Sequence, residues 1–322
     1  MRERTLIDTL LRPLARHPAA RGLGDDAAIL TPPLGRDLVL THDVLACGIH
    51  YLSSDPPSDI AWKLLAVNLS DLAAMGARPL GVLMGLGLSA AEDDEWLRAF
   101  VDGLRRALEK WDVALLGGDT VGGLDRAVLG LTAIGQVASG QALTRSAAQP
   151  GDDLYVTGTI GDAGLGLAIA AGDAAPDKYL LNRFRRPEPR LAMGQGLVGI
   201  ASAAMDVSDG LLIDAQRLAK ASGLRLAIDL TQLPLSDPAA ARTLRSDEAL
   251  VERATAGDDY ELLFTAPASA AAAVAALAAE CRLRVTRLGS ASGGDGLSIT
   301  GGGGRELTPS RLGYEHMAGG PT

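Results

Sequence analysis

Aromatic side chains are scarce in this sequence: three Phe, five Tyr and three Trp make up 3% of 322 residues. That scarcity argues against a base-stacking surface for nucleic acid and leaves the core to Leu, Val, Ile and Ala. Cysteine is nearly absent too. Cys47 and Cys281 lie far apart with no CxxC and no His-rich spacing, so neither a zinc cage nor a disulfide framework is indicated, and a reducing, cytoplasmic setting is expected. No uninterrupted apolar run reaches the roughly 18 residues of a membrane span. The opening Met1-Arg2-Glu3-Arg4 leads into an amphipathic stretch rather than a signal-peptide core, so no membrane association is expected. Positive charge is in deficit, with 30 Lys and Arg against 39 Asp and Glu for a net charge of −9. Nucleic acid and anionic lipid would be repelled, and any phosphorylated ligand would need metal.

Three familiar signatures are also missing. The chain has no GxxxxGK[ST] loop, its Gly161-Asp-Ala-Gly-Leu-Gly166 does not fit GxGxxG, and no DxDxDG loop with a closing Glu occurs. The P-loop fold, the dinucleotide fingerprint and the EF-hand are thereby removed.

What is present is ample apolar material, 47% of the chain, enough for two domains at roughly 100–200 residues each. Leu6, Leu10, Leu11 and Leu14 mark one face of an opening helix. Strands are expected at Ala27–Leu30, Asp37–Thr41, Leu80–Leu88, Val113–Leu116 and Ala127–Val137, with helices over Asp59–Met75 and Asp93–Trp111. Such alternation indicates an α/β or α+β domain. Pro150-Gly151 signals a turn, which places the division at 1–148 and 149–322. In the second part, strands are expected at Leu154–Thr157, Asp259–Thr265 and Leu283–Leu288, and a helix over the Ala-rich Ala268–Glu280.

The chemistry is carried by aspartates at strand ends and turns: Asp25-Asp26, Asp43, Asp71, Asp119, Asp206 and Asp209. Each alone reads as a turn or helix-cap residue. Together, in apolar or Gly-rich surroundings and without His or Cys partners, they form an all-oxygen donor set suited to Mg²⁺, Mn²⁺ or Ca²⁺. Gly158 to Gly164 reads as a tight turn needing positive φ, with a phosphate cradle as the alternative. Arg145 is either a phosphate clamp or a solvated arginine, His50 a loop histidine, and Gly257-Asp-Asp-Tyr-Glu261 an acidic turn or a site for a cationic ligand.

Taken in order, Gly24-Asp-Asp-Ala27, Thr41-His-Asp43 with His50, Val67-Asn-Leu-Ser-Asp-Leu-Ala-Ala-Met-Gly-Ala77, Gly117-Gly-Asp-Thr120, Leu143-Thr-Arg-Ser146, Asp206-Val-Ser-Asp-Gly210 and Gly257-Asp-Asp-Tyr-Glu261 resemble the thiamine-monophosphate kinase family. That family shares a superfamily with aminoimidazole ribonucleotide synthetase and selenophosphate synthetase. The resemblance implies a two-domain α/β fold, a homodimer formed through the N-terminal sheet, and an active site in the interdomain cleft. It implies direct in-line transfer from ATP to thiamine monophosphate, the last step of thiamine diphosphate synthesis, with several Mg²⁺ ions. Metal ligation would fall on Asp26, Thr41, His42, Asp43, Asp71, Asp119, Asp206 and Asp209, and ATP contacts on Gly118, Asp119, Arg145 and Ser208. Substrate contacts would fall on His50, Asp258 and Met317. His42 stands where the family has Thr, Asp258 where it has Glu, and Met317 where it has an aromatic. The alternatives are the same fold acting on another substrate, as in selenophosphate synthetase or the hydrogenase maturation enzyme, and a non-catalytic nucleotide- or metal-binding dimer.

Overall fold

The computed structural model describes residues 1–244 and 246–315. The chain forms two compact units: Met1–Ala142 with Arg185–Leu191, and Leu143–Phe184 with Ala192 onward. The division precedes the Pro150-Gly151 turn because the residues before it already belong to the second unit. Leu143 is buried and the Ala204 N–H donates to the Thr144 carbonyl.

The first unit opens with helix α1 (Glu3–Leu6), continued by a π-helical turn and a 3₁₀ turn to Leu14, with Leu6 and Leu11 buried. Ala27–Leu30, expected as a strand, has none. The run is short and leads into Thr31-Pro32-Pro33, whose prolines bring no N–H to a ladder.

Strands β1 (Arg36–Ala46), β2 (Arg78–Ser89), β3 (Ala114–Leu124) and β4 (Val128–Ala138) form a sheet in the order β1-β4-β2-β3. Its β2–β3 pair is parallel, bridged by helix α3 (Asp94–Trp111) as a parallel connection requires, and β4 is antiparallel to both its neighbours. Helix α2 (Pro57–Ala74) is buried along most of its length and packs on one face of the sheet and on α3. The other face leaves Leu40 62%, Val44 41% and Val128 40% exposed.

α2 and α3 approach so closely at Gly103 that an added Cβ would lie 2.3 Å from the Ser58 carbonyl oxygen. Gly103→Val is expected to force the helices apart at a cost of about 1–3 kcal/mol; an unchanged melting temperature would show that the crossing has slack.

The segment Arg185–Leu191, which returns to the first unit, is tied there by specific contacts. Arg185 pairs with the buried Asp55 at 2.7 Å, Arg186 pairs with Asp59, and the Trp62 indole donates to the Pro187 carbonyl at 3.0 Å.

The second unit contains β5 (Asp152–Thr157), α4 (Asp162–Ala171), α5 (Lys178–Arg185), α6 (Leu191–Leu197), β6 (Ala203–Val207), α7 (Leu211–Ser222) and β7 (Arg225–Asp229). It continues with α8 (Asp237–Arg242), α9 (Asp247–Ala254), β8 (Glu261–Pro267), α10 (Ala271–Glu280), β9 (Val285–Ser292) and β10 (Gly296–Thr300). The six strands order as β10-β7-β9-β5-β8-β6, antiparallel except for β10–β7. Leu154, Val156, Leu211, Leu218, Ile228 and Leu263 belong to the core beneath α7. The Ala-rich α10 is an ordinary surface helix, anchored by the buried Val274. No helix among the described residues is long and apolar enough to cross a membrane.

Candidate active site

In the first unit, a cavity of about 660 Å³ is lined by Asp25, Asp26, His42, Gly117, Gly118, Asp119 and Thr120 among others. The acids reach it by different routes. Asp25 and Asp26 follow three consecutive left-handed residues, Arg21 (φ 50°), Gly22 (φ 64°) and Leu23 (φ 54°), and Asp25 pairs with Arg21. Asp119 lies on β3 after Gly117-Gly118, and its carboxylate accepts the Thr120 N–H at 2.9 Å. Gly118 faces Met84 across the parallel pair, and a Cβ there would stand 2.0 Å from the Met84 carbonyl oxygen. Only glycine brings this strand so near its neighbour.

β1 splits its three expected ligands by strand alternation. Thr41 and Asp43 face α2: the Thr41 hydroxyl donates to the Asp71 carboxylate, and the Asp43 N–H donates to the Asn68 side-chain oxygen at 3.0 Å. Asn68 and Asp71 are three residues apart and share a helix face. His42 points the other way, with Nδ1 2.9 Å from the Thr132 hydroxyl, into the cavity that holds Asp26 and Asp119. His50 is half-buried, its Nδ1 accepting the Ala46 N–H at 3.0 Å.

In the second unit, Asp206 ends buried in β6, and Ser208 and Asp209 follow at the mouth of α7. Their backbone N–H groups donate to Asp214 at 3.1 and 3.0 Å, and Arg217 Nη1 bridges Asp209 at 2.5 Å and Asp214 at 2.7 Å. Burial pushes the Asp214 carboxyl up to about 6, with the Arg217 guanidinium working against the rise. Asp214 and Arg217 escaped the sequence reading; their signal was the i, i+3 spacing of an acid and a base in the first turns of a helix. The Asp258 N–H donates to the Ser208 carbonyl at 2.7 Å, so Ser208, Asp209 and Asp258 come together. Arg145 is exposed, its carbonyl accepting the Ser222 hydroxyl at 2.7 Å. Met317 lies outside the described residues.

The Gly158–Gly164 segment is a turn in which the Gly158, Ile160, Gly161 and Ala163 N–H groups are already engaged. Asp259, 1% exposed, accepts the Gly161 N–H at 2.8 Å and the Ala163 N–H at 3.4 Å, and Gly161 has φ 83°. Burial pushes the Asp259 carboxyl up to about 8, against those N–H groups and Arg183. The native state then keeps a proton that the unfolded chain releases. This contribution to stability is complete below the ordinary value of 3.8, declines as pH rises, and is gone above about 8. Asp259→Asn, which cannot titrate, is therefore expected to melt progressively closer to, or above, wild type between about pH 5 and pH 8. Parallel melting curves across that range would refute this.

Among the described residues, no group of three or more His, Cys, Asp or Glu side chains stands ready to hold a metal. The expected ligands are instead spread out: Asp26, His42 and Asp119 line the cavity without clustering, Thr41 meets Asp71, Asp43 lies beside Asn68, and Asp206 and Asp209 are in the second unit.

The chain matches the AIR synthase related protein, N-terminal domain, over residues 24–137 and the AIR synthase related protein, C-terminal domain, over 149–302. It is 41% identical to the thiamine-monophosphate kinase of Caulobacter vibrioides over 315 residues, 96% of this chain and 89% of that one. The crystal structure of thiamine-monophosphate kinase from Stenotrophomonas maltophilia K279a superposes with a TM-score of 0.84 at 41% identity, covering 95% of this chain and 98% of its own. AaThiL complexed with AMPPCP and TMP superposes with a TM-score of 0.77 at 28% identity, covering 98% of this chain and 99% of that one.

Proposed function

The chain belongs to the thiamine-monophosphate kinase family, and from that premise we propose that it transfers the γ-phosphoryl group of ATP to thiamine monophosphate, giving thiamine diphosphate and ADP. The observation that carries this reading is family membership across nearly the whole chain, together with a relative that holds an ATP analogue and TMP on the same fold.

The chemistry agrees with the residues. The acceptor is a phosphate oxygen, already anionic, so a strong general base is not required; the difficulty is bringing two polyanions together in a protein of net charge −9. The donor set is hard and carboxylate-rich, which suits Mg²⁺, an ion that keeps several waters and binds through one or two carboxylates plus substrate phosphates rather than in an all-protein cage. Asp26, Asp43, Asp71 and Asp119 of the first unit, and Asp206 and Asp209 of the second, would hold several such ions, with Thr41 and His42 beside the first set. When bound, Mg²⁺ supplies charge neutralisation to the phosphates. We assign ATP contacts to Gly118, Arg145 and Ser208 and acceptor contacts to His50 and Asp258, with Met317, outside the described residues, as a third acceptor contact carried by the resemblance alone.

ADP release measured with ATP and thiamine monophosphate, thiamine, or other phosphorylated acceptors tests the assignment. Turnover with thiamine monophosphate, and thiamine diphosphate as product, is expected. Turnover only with another acceptor would overturn it.

A homodimer, supported by the uncovered apolar face of β1 and β4, and a cytoplasmic setting complete the proposal. Leu40→Glu places a charge on that face and is expected to give monomers by light scattering; a dimer of unchanged mass would show that contact lies elsewhere.

A further inference from the structure

The turn that carries Asp258 adopts a conformation that side chains disfavour. Asp258 (φ 69°) and Tyr260 (φ 51°) both lie in the left-handed region, one residue apart. Such residues persist only where the surroundings over-determine them, and they cluster at functional sites. Two backbone bonds tie the turn to the end of β6: the Asp258 N–H to the Ser208 carbonyl at 2.7 Å and the Tyr260 N–H to the Val207 carbonyl at 2.8 Å.

The remaining constraint is a buried charged network below the turn. Asp259 faces inward onto the start of α4 through its bonds from Gly161 and Ala163. Arg183, 8% exposed, donates from one nitrogen, Nη2, to the Asp259 carbonyl at 3.1 Å and to the Glu261 carboxylate at 2.8 Å. Glu261 is 0% exposed, and its other oxygen accepts the Thr157 hydroxyl at 2.7 Å. Gly158, with φ 59°, leaves room for that carboxylate, since a Cβ there would lie 2.1 Å from its oxygen. On the far side, Arg183 Nε stands 3.7 Å from Asp162, whose carboxylate accepts the Ser236 and Thr159 hydroxyls at 2.6 Å each. One guanidinium thus serves two buried carboxylates and a backbone carbonyl. Apolar packing would stabilise the fold at least as well as such a network, so its presence calls for a different reason.

We propose that Arg183 is a positioning residue for the acceptor: by clamping the Asp259 carbonyl to the Glu261 carboxylate it locks the left-handed turn and fixes Asp258 where a cationic, phosphate-bearing acceptor meets it. The proposal rests on the reading above, in which Asp258 faces thiamine monophosphate, whose thiazolium ring is a cation. Asp258 itself is steadied from the same turn, its carboxylate accepting the Tyr260 hydroxyl at 3.1 Å. Arg183 touches the fold and not the acceptor; its effect passes through the aim of one carboxylate.

Steady-state kinetics with thiamine monophosphate varied separates this role from a merely structural one. Arg183→Gln is expected to raise KM for thiamine monophosphate roughly tenfold, with kcat and KM for ATP within about twofold. Arg183→Lys keeps the charge but lacks the planar fork, and is expected to recover part of the loss. In an Asp258→Asn background, Arg183→Gln is expected to add less than about twofold, because the residue it acts through is already altered. The same tenfold rise in both backgrounds, or a fall in kcat with KM unchanged, overturns the proposal. Should Arg183→Gln fail to fold, Glu261→Gln releases the other end of the clamp and is judged by the same cycle. A wild type that forms no ADP from ATP and thiamine monophosphate removes the functional reading and this proposal with it. An active wild type with an unaltered KM in the variants removes this proposal alone.

Discussion

Asp71→Asn is expected to lower kcat by roughly 10²–10³-fold, the scale seen when one preorganised electrostatic group is lost, while the melting temperature stays close to that of wild type. The substitution keeps the shape of the side chain and leaves an amide oxygen to accept the Thr41 hydroxyl, so the tie between β1 and α2 survives. What it removes is charge. Asp71 is half-buried on a helix whose neighbouring residues are almost all buried, and a carboxylate in such surroundings needs a charged or hydrogen-bonding partner. If Asp71, besides accepting the Thr41 hydroxyl, shares Mg²⁺ with the phosphates, the Mg²⁺ concentration needed for half-maximal rate rises together with the loss of kcat. Rate measurements across an Mg²⁺ titration give both numbers, and an unchanged kcat at saturating Mg²⁺ would count decisively against Asp71 as a ligand.

The second large effect belongs to Gly118→Ala. The added Cβ would stand 2.0 Å from the Met84 carbonyl oxygen and 3.0 Å from its carbon, both backbone atoms of the paired strand. Neither can swing aside as a side chain would, so β2 and β3 must separate, at a cost toward the upper end of about 1–3 kcal/mol. Asp119 moves with β3, and the wall of the cavity moves with Asp119. Activity is expected to fall at least tenfold with a raised KM for ATP, since small misplacements of reacting groups cost heavily. Gly122→Ala serves as the control, because nothing lies within 4 Å of a Cβ there. If the two variants melt alike and use ATP alike, the close approach has no functional weight.

Much of the first unit was legible because its elements are long and strongly periodic. α2, α3, β2 and β4 each begin and end within a few residues of the apolar pattern that announced them. The capping of α3 was legible too, since Asp93 accepts the Trp96 N–H at 2.8 Å where the pattern placed the helix start. β7 and β10 were not foreseen. Each is five residues long, and their parallel pairing joins segments about seventy residues apart, which no local pattern encodes. Ala27–Leu30 failed in the opposite sense: its apolar run was right for a strand, but a strand also needs an edge to pair with, and the prolines after it withhold N–H groups.

The site divided in the same way. The order of the short motifs named the candidate acids, but how they group in the fold was not visible in it. Alternation along β1 sets His42 opposite Thr41 and Asp43, a consequence of period two that the sequence contains but a ligand list ignores. That Asp162, Asp259 and Glu261 are buried around Arg183 had no local sign, because Arg183 arrives from a helix some eighty residues before the Asp258 turn.

The return of Arg185–Leu191 to the first unit bears on how the polypeptide matures during translation. When the ribosome has delivered residue 142, every strand of the first sheet exists, yet Asp55, 5% exposed in the finished fold, still lacks Arg185, and the indole of Trp62 still lacks the Pro187 carbonyl. Completing the first unit therefore waits on about fifty further residues, including the first strand of the second. A gene fragment cut at the apparent boundary would leave the carboxylates of Asp55 and Asp59 without their arginines.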